Sequence, residues 1–214
     1  MRFEDIRERE EVYLYCGDLP LRNIQHTGIP FIGLSLHQSN DYHIRHDVTK
    51  NFELEDNSVD IIQSEDVMEH IEYEKLPTSI NEIYRVLKPR GLFRLSMPDY
   101  RCDVLYNRSM KDEKGNLIFD SGGGGGYDNA NKKVINGGHV WFPKYESVRR
   151  LLSNTNFYKN KSSKINYLHY YNEEGGGVTN KIDYKKGYVK RTPDNDARVQ
   201  NPRRPMSIVV DCCK

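Results

Sequence analysis

The chain has 214 residues, enough for one α/β domain with its own core. Its 32 basic and 31 acidic side chains leave a net charge of +1, which excludes a whole-chain electrostatic footprint for nucleic acid and leaves only local patches such as Lys185-Lys186 and Arg203-Arg204. Four cysteines without zinc-like spacing, no apolar run of membrane length and no signal-peptide pattern predict a soluble cytoplasmic protein.

In chain order, one or two helical turns precede a first strand and its glycine turn, "EVYLYCGD", residues 11–18. "FIGLSL" (31–36) reads as the second strand and "HIRHDV" (43–48) contains the third. Pro20, Gly28 and Pro30 leave room for only a short helix between the first two. "VDIIQS" is a buried fourth strand. From Ser79 the positions Ile80, Ile83, Tyr84 and Leu87 follow helical spacing, and Pro89 and Gly91 end that helix before the fifth strand, "LFRLSM". Strand, helix and strand with short connections imply a right-handed parallel unit. Ligands of such sheets bind at the carboxyl ends of the strands. Ser64, Glu65, Asp66, Pro98 and Asp99 are predicted there.

A helix then runs toward Met110. Residues 111–138 are polar and carry five consecutive glycines, 122–126, which predicts a mobile lid or insertion; a disordered surface loop is the alternative. "YESVRRLLSNTNF" is amphipathic, with Tyr145, Val148, Leu151 and Leu152 on its inner face. "KINYLHYY" and "MSIVVDCC" read as the last two strands, separated by a long loop with glycines at 175–177. A single domain over residues 1–214 is expected. The mean hydropathy of −0.80 is polar for a globular enzyme, and much of the polarity lies after Lys111.

The words "DVTKNFELEDNSVDIIQSEDVMEHI" and "EIYRVLKPRGLFRLSMPD" resemble the class I S-adenosylmethionine-dependent methyltransferases, in the branch with "D…LPF.DNSFD.I…..LEHI…….E..RVLKPGG.L.I..PD". The resemblance spans roughly residues 12–103. It implies a Rossmann-like three-layer sandwich: a mostly parallel seven-stranded sheet with an antiparallel C-terminal hairpin. It also implies S-adenosylmethionine as cofactor. Cys16, Gly17 and Asp18 match the centre of the family's glycine turn, whose later glycines are missing here. The family's acidic ribose ligand at the end of the second strand is replaced by Ser35, followed by Leu36. His46, Asp47 and Val48 match the adenine-binding turn after the third strand; a helix or turn cap is the other reading of Asp47. Ser64, Glu65 and Asp66 fall beside the methionine moiety. The family's Glu-His pair is Glu69-His70, and His70 either faces the site or caps the helix.

"GGHVWFPKYESVRRLL" resembles the family segment that follows the lid. It makes His139 the first candidate for general base, since imidazole suits deprotonation of a hydroxyl at neutral pH, with a hydrogen bond to a lid carbonyl as the other reading; Asp99, His70 and Asp66 are the other candidates. Glu65, Asp66, Asp99 and Asp103 form no convincing ligand set, and no metal is expected. The expected acceptor is a small molecule, sugar or glycan hydroxyl, with Trp141, Phe142 and tyrosines 167–171 available for stacking. A binding module that no longer catalyses is one alternative. An enzyme acting on protein or RNA through "KKGYVKR" is another.

Overall fold

The computed structural model describes residues 1–214. A 3-10 turn, Phe3–Ile6, precedes β1 (Tyr13–Cys16), and α1 (Leu21–Thr27) leads to β2 (Ile32–Ser35) and β3 (His43–Arg45). After β4 (Val59–Glu65), α2 (Leu76–Val86) and β5 (Leu87–Pro98) complete the parallel unit, and α3 (Asp103–Arg108) follows. The glycine-rich region folds as two small antiparallel ribbons, β6 (Met110–Lys111) with β7 (Leu117–Phe119), and β8 (Gly126–Asp128) with β9 (Lys133–Ile135). Helices α4 (Tyr145–Ser153) and α5 (Asn156–Lys159) precede β10 (Lys164–Tyr171), β11 (Gly177–Thr179) and β12 (Ser207–Cys213).

The main sheet has eight strands in the order β11-β10-β12-β5-β4-β1-β2-β3. β3, β2, β1, β4 and β5 are parallel, and β12 and β10 close it antiparallel, as expected. The eighth strand is the addition: β11 arises inside the long loop and pairs with the outer edge of β10. α2 starts earlier than the periodicity predicts, at Leu76 with Pro77 in its first turn, and stops at Val86. Leu87 is the first residue of β5, because Pro89 bars helix at the residue before it and has no N–H to give. Arg90, with φ of 68°, then turns the chain where the family pattern has a glycine.

The two faces of the sheet differ. One carries the main core of 29 buried residues, where α2, α4 and α5 pack Ile80, Ile83, Val86, Leu151, Leu152 and Phe157 against Leu14, Ile62, Phe93 and Val210. Strand alternation sends Gln63, Arg94 and Asp211 to the other face. There α1 covers only the β1–β2 end. The rest is covered by an irregular segment around residues 180–205. Arg94, fully buried, pairs with both carboxylate oxygens of Asp211 and donates to the carbonyls of Asp183 and Gly187. Gln63 donates to the Tyr188 carbonyl at 2.6 Å and accepts from Asn23. The "KKGYVKR" segment is therefore sewn to the sheet: its Tyr188 and Val189 are buried, and Lys190 N–H bonds Glu65 at 2.7 Å.

Candidate functional site

At the carboxyl ends of β1 to β4 lies a cleft of about 480 Å³, within the ~300–1,000 Å³ typical of small-molecule sites. Gly17 and Asp18 follow β1, Leu36 follows β2, His46 to Val48 follow β3, and Asp66 and His70 follow β4; all line the cleft. Val67, His37, Asn136 and Gly137 line it too, and none of these was among the expected site residues.

Gly17 has φ of +90°, a conformation that disfavours any side chain, and a Cβ there would lie 3.1 Å from Val67 Cγ2. Its N–H is held by the Leu34 carbonyl at 2.9 Å. This turn brings bare backbone to the cleft wall. Asp47 Oδ1 accepts from the N–H and hydroxyl of Thr49, so the capping reading of Asp47 holds for that oxygen. Burial pushes its carboxyl up, but the Thr49 bonds outweigh burial and hold it below the usual range. Oδ2 has no protein partner.

Six of the expected site residues do not line the cleft. Cys16 is in the main core, and burial raises its thiol to about 12. Ser35 is fully buried; its Oγ accepts from the N–H groups of His37 and Gln38 and caps that turn. Ser64 lies on the buried strand behind the wall. Glu65 is buried as well, with Tyr15 and the Lys190 N–H as partners; burial and then the Asp66 charge raise its carboxyl to about 7. Asp99 is fully buried, its two oxygens accepting from the N–H groups of Arg101 and Tyr171. It ties β10 to the end of β5. His139 is 2 % exposed, and burial lowers its imidazole to about 3, which unsuits it as a base open to substrate.

His139 nevertheless sits directly behind the cleft wall. Its ring meets that of His70 edge-on, with centroids 4.6 Å apart. Its Nδ1 bonds the Tyr100 hydroxyl, which donates to Asp120 at 2.6 Å, and Arg108 pairs with Asp120 at 2.7 Å. Since the Tyr100 proton is given to Asp120, His139 Nδ1 carries the proton of its own bond and Nε2 keeps a lone pair. His70 Nδ1 lies 2.7 Å from the Gly137 carbonyl, which can only accept, so His70 Nε2 is also unprotonated in the neutral ring. Glu69 is fully buried, 3.6 Å from His139 Nε2. Asp66, with φ of 58°, is paired with Arg191 from the irregular cover, a residue the sequence gave no reason to place here.

The aromatic residues expected to stack on an acceptor pack elsewhere. Tyr145 and Tyr170 stack on one another at 4.2 Å, Trp141 meets Tyr73, and Phe142 meets Tyr100. Asp103 pairs with Arg204.

No curated protein sequence matches the chain. Residues 30–95 match a family described as a methyltransferase domain, a stretch that runs from β2 into β5. A structure of S-adenosylmethionine-dependent methyltransferase from Methanosarcina mazei is similar over 99 % of this chain and 95 % of its own, at 11 % identity and a TM-score of 0.51. One from Archaeoglobus fulgidus covers 99 % and 90 %, at 14 % identity and a TM-score of 0.49. The first of these likenesses supports the fold. No helix is long and apolar enough to cross a membrane. Residues 30–95 thus carry the likeness to a methyltransferase domain, and the fold around them is like that of an S-adenosylmethionine-dependent methyltransferase.

Proposed function

We propose that the chain binds S-adenosylmethionine in the cleft and methylates an oxygen of a small-molecule acceptor, a sugar or glycan hydroxyl. The cofactor supplies a methyl group made electrophilic by its sulfonium. The observation that carries the reading is His70. It lines the cleft with its Nδ1 anchored on the Gly137 carbonyl, which in the neutral ring leaves Nε2 as the nitrogen that can meet a hydroxyl. The bare Gly17 turn fits close approach of the amino-acid part of the cofactor. Asp47, with Oδ2 free, and the Val48 N–H fit the adenine edge. With Ser35 committed to its turn, the carboxylates left on the wall for the ribose are Asp18, Asp47 and Asp66, and Asp66 is held by Arg191. The lid reading of residues 111–138 rests on Gly137, which touches His70 from the end of the segment.

The burial of Tyr188 and Val189 and the pairing of Arg191 with Asp66 speak against "KKGYVKR" as a nucleic-acid docking strip. The committed Ser35 keeps one rival alive, a binding module without turnover. Two measurements test the proposal: calorimetric titration with S-adenosylhomocysteine, and release of S-adenosylhomocysteine across a panel of sugar, phenol and amine acceptors. Micromolar binding with turnover on hydroxyl acceptors is expected. Turnover on amines alone overturns the oxygen assignment, and binding without turnover on any acceptor favours the rival.

A further inference from the structure

We propose that Glu69, His70 and His139 form a binding site for a divalent transition-metal ion at the back of the cofactor cleft. One ligand atom from each lies within 4.8 Å of the others. Glu69 Oε1 and His139 Nε2 are 3.6 Å apart. Ligands held at ~2.0–2.1 Å on a tetrahedral ion stand about 3.3 Å apart, so this pair is already close to bridging distance. Small side-chain rotations of His70, the most exposed of the three, would complete the set.

Two independent features point to a ligand. The first is Glu69. It is fully buried, and neither carboxylate oxygen has a hydrogen-bond partner. A buried carboxyl group left in that state is costly, and a cation is what such a group lacks. Arg191, the cation nearby, is committed to Asp66. The second is the state of both imidazoles. Each uses Nδ1 on a fixed outer partner, the Gly137 carbonyl for His70 and the Tyr100–Asp120–Arg108 chain for His139. Metal-binding histidines are oriented in this way, by an outer carbonyl or carboxylate that leaves the other nitrogen free. The glycine run contributes as well. A Cβ at Gly123 would lie 2.5–2.6 Å from His139 Nε2, Cδ2 and Cε1, nearly equal distances that put Gly123 over the ring face and leave the in-plane lone pair uncovered.

Two imidazole nitrogens and one carboxylate suit zinc, cobalt, iron(II) or manganese and not calcium, which takes oxygen ligands. Three protein ligands leave at least one open position, and His70 places it at the cleft. Resting on the proposed function for what arrives there, the open position would take the acceptor hydroxyl. Its O–H bond then breaks nearer neutral pH, with the proton leaving to water and the oxygen anion staying on the ion. His70 serves as a ligand in that state.

The test uses the full chain without a histidine tag, stripped with a chelator and titrated with Co²⁺. Visible absorption and calorimetry read the binding, and Zn²⁺ is added in competition. One equivalent is expected, displaced by Zn²⁺. Glu69→Gln keeps the shape of the side chain and should weaken binding at least tenfold, as should His139→Ala, with circular dichroism confirming the fold. Glu69→Asp, which keeps the charge on a shorter stem, should weaken it too if Glu69→Gln fails to fold. No binding by the wild type, or equal binding by the variants, overturns the proposal. S-adenosylhomocysteine titrated into the metal-free chain separates the two readings: if it binds where Co²⁺ does not, the metal site falls and the methyltransferase assignment stands.

Discussion

His70 Nδ1 and the Gly137 carbonyl, 2.7 Å apart, join the end of β4 to the far end of the glycine-rich segment. One bond thus fixes the tautomer of a cleft residue and anchors the segment. Replacing His70 by Ala should remove both. If His70 meets the acceptor hydroxyl, turnover falls by ~10²–10⁴-fold while affinity for S-adenosylhomocysteine changes by less than about tenfold. Steady-state kinetics beside calorimetry checks this.

Asp99→Ala should behave in the opposite way. It leaves the Arg101 and Tyr171 N–H groups without their acceptor, each unmet buried donor costing about 1–3 kcal/mol. A drop in thermal midpoint is expected, and the folded fraction at low temperature should keep its turnover. A stable variant that has lost turnover would restore Asp99 as a catalytic candidate.

Gly17→Val places a β-branched side chain at φ of +90° and against Val67. Strain of that kind costs about 1–3 kcal/mol, and the new side chain occupies the cleft. Affinity for S-adenosylhomocysteine should fall more than tenfold with the circular-dichroism spectrum unchanged. Binding as tight as wild type would move the cofactor away from this turn.

Gly123→Ala tests the contact between the glycine run and His139. The backbone at Gly123 tolerates a side chain, so the effect comes from the contact alone, 2.5 Å from Nε2. His139 must shift, and turnover should drop tenfold or more while cofactor affinity stays near the wild-type value.

Glu65 sets a pH dependence of stability. Its carboxyl is raised from 4.5 to about 7, by burial first and by Asp66 second. Between those values the unfolded chain releases the proton and the folded chain keeps it. The folded state therefore binds more protons there, and stability falls as pH rises through this window. Thermal midpoints of wild type and Glu65→Gln should converge near pH 4.5 and separate toward pH 8, with the variant the more stable at the alkaline end.

The parallel half of the sheet was legible because its strands are short apolar runs with punctuation, and because α2 repeats with helical period. Its start was missed at Leu76, since Pro77 and Thr78 look like a connection until proline is seen in a first turn. Gly17, Asp47 and His70 were legible as cleft residues from their places after strands. Ser35 was legible in place but not in state: the turn that consumes its hydroxyl is made by His37 and Gln38, whose backbone direction no residue type announces. Glu69 and His70 adjoin in sequence, but only the fold brings His139 to them. Arg94 read as part of a buried strand, with nothing to say that its partners would be Asp211 and two carbonyls 89 and 93 residues downstream.

That last arrangement has a consequence for how the molecule opens. Where helices cover the sheet, 29 buried residues would be wetted together on separation; under the irregular cover lie only two small clusters, of three and five buried residues, which take Ile182, Val189 and Val199 from it. The cover is held by polar bonds, such as those of Arg94 with the Asp183 and Gly187 carbonyls, and water can replace these when they part. Detaching it exposes less hydrocarbon than parting the helices from the sheet would, so it is expected to open at lower cost and to exchange its amide hydrogens ahead of β4 and β5. Arg191 travels with this segment. Each such opening releases Asp66 at the cleft wall, and so links breathing on one face of the sheet to the charge presented at its carboxyl edge.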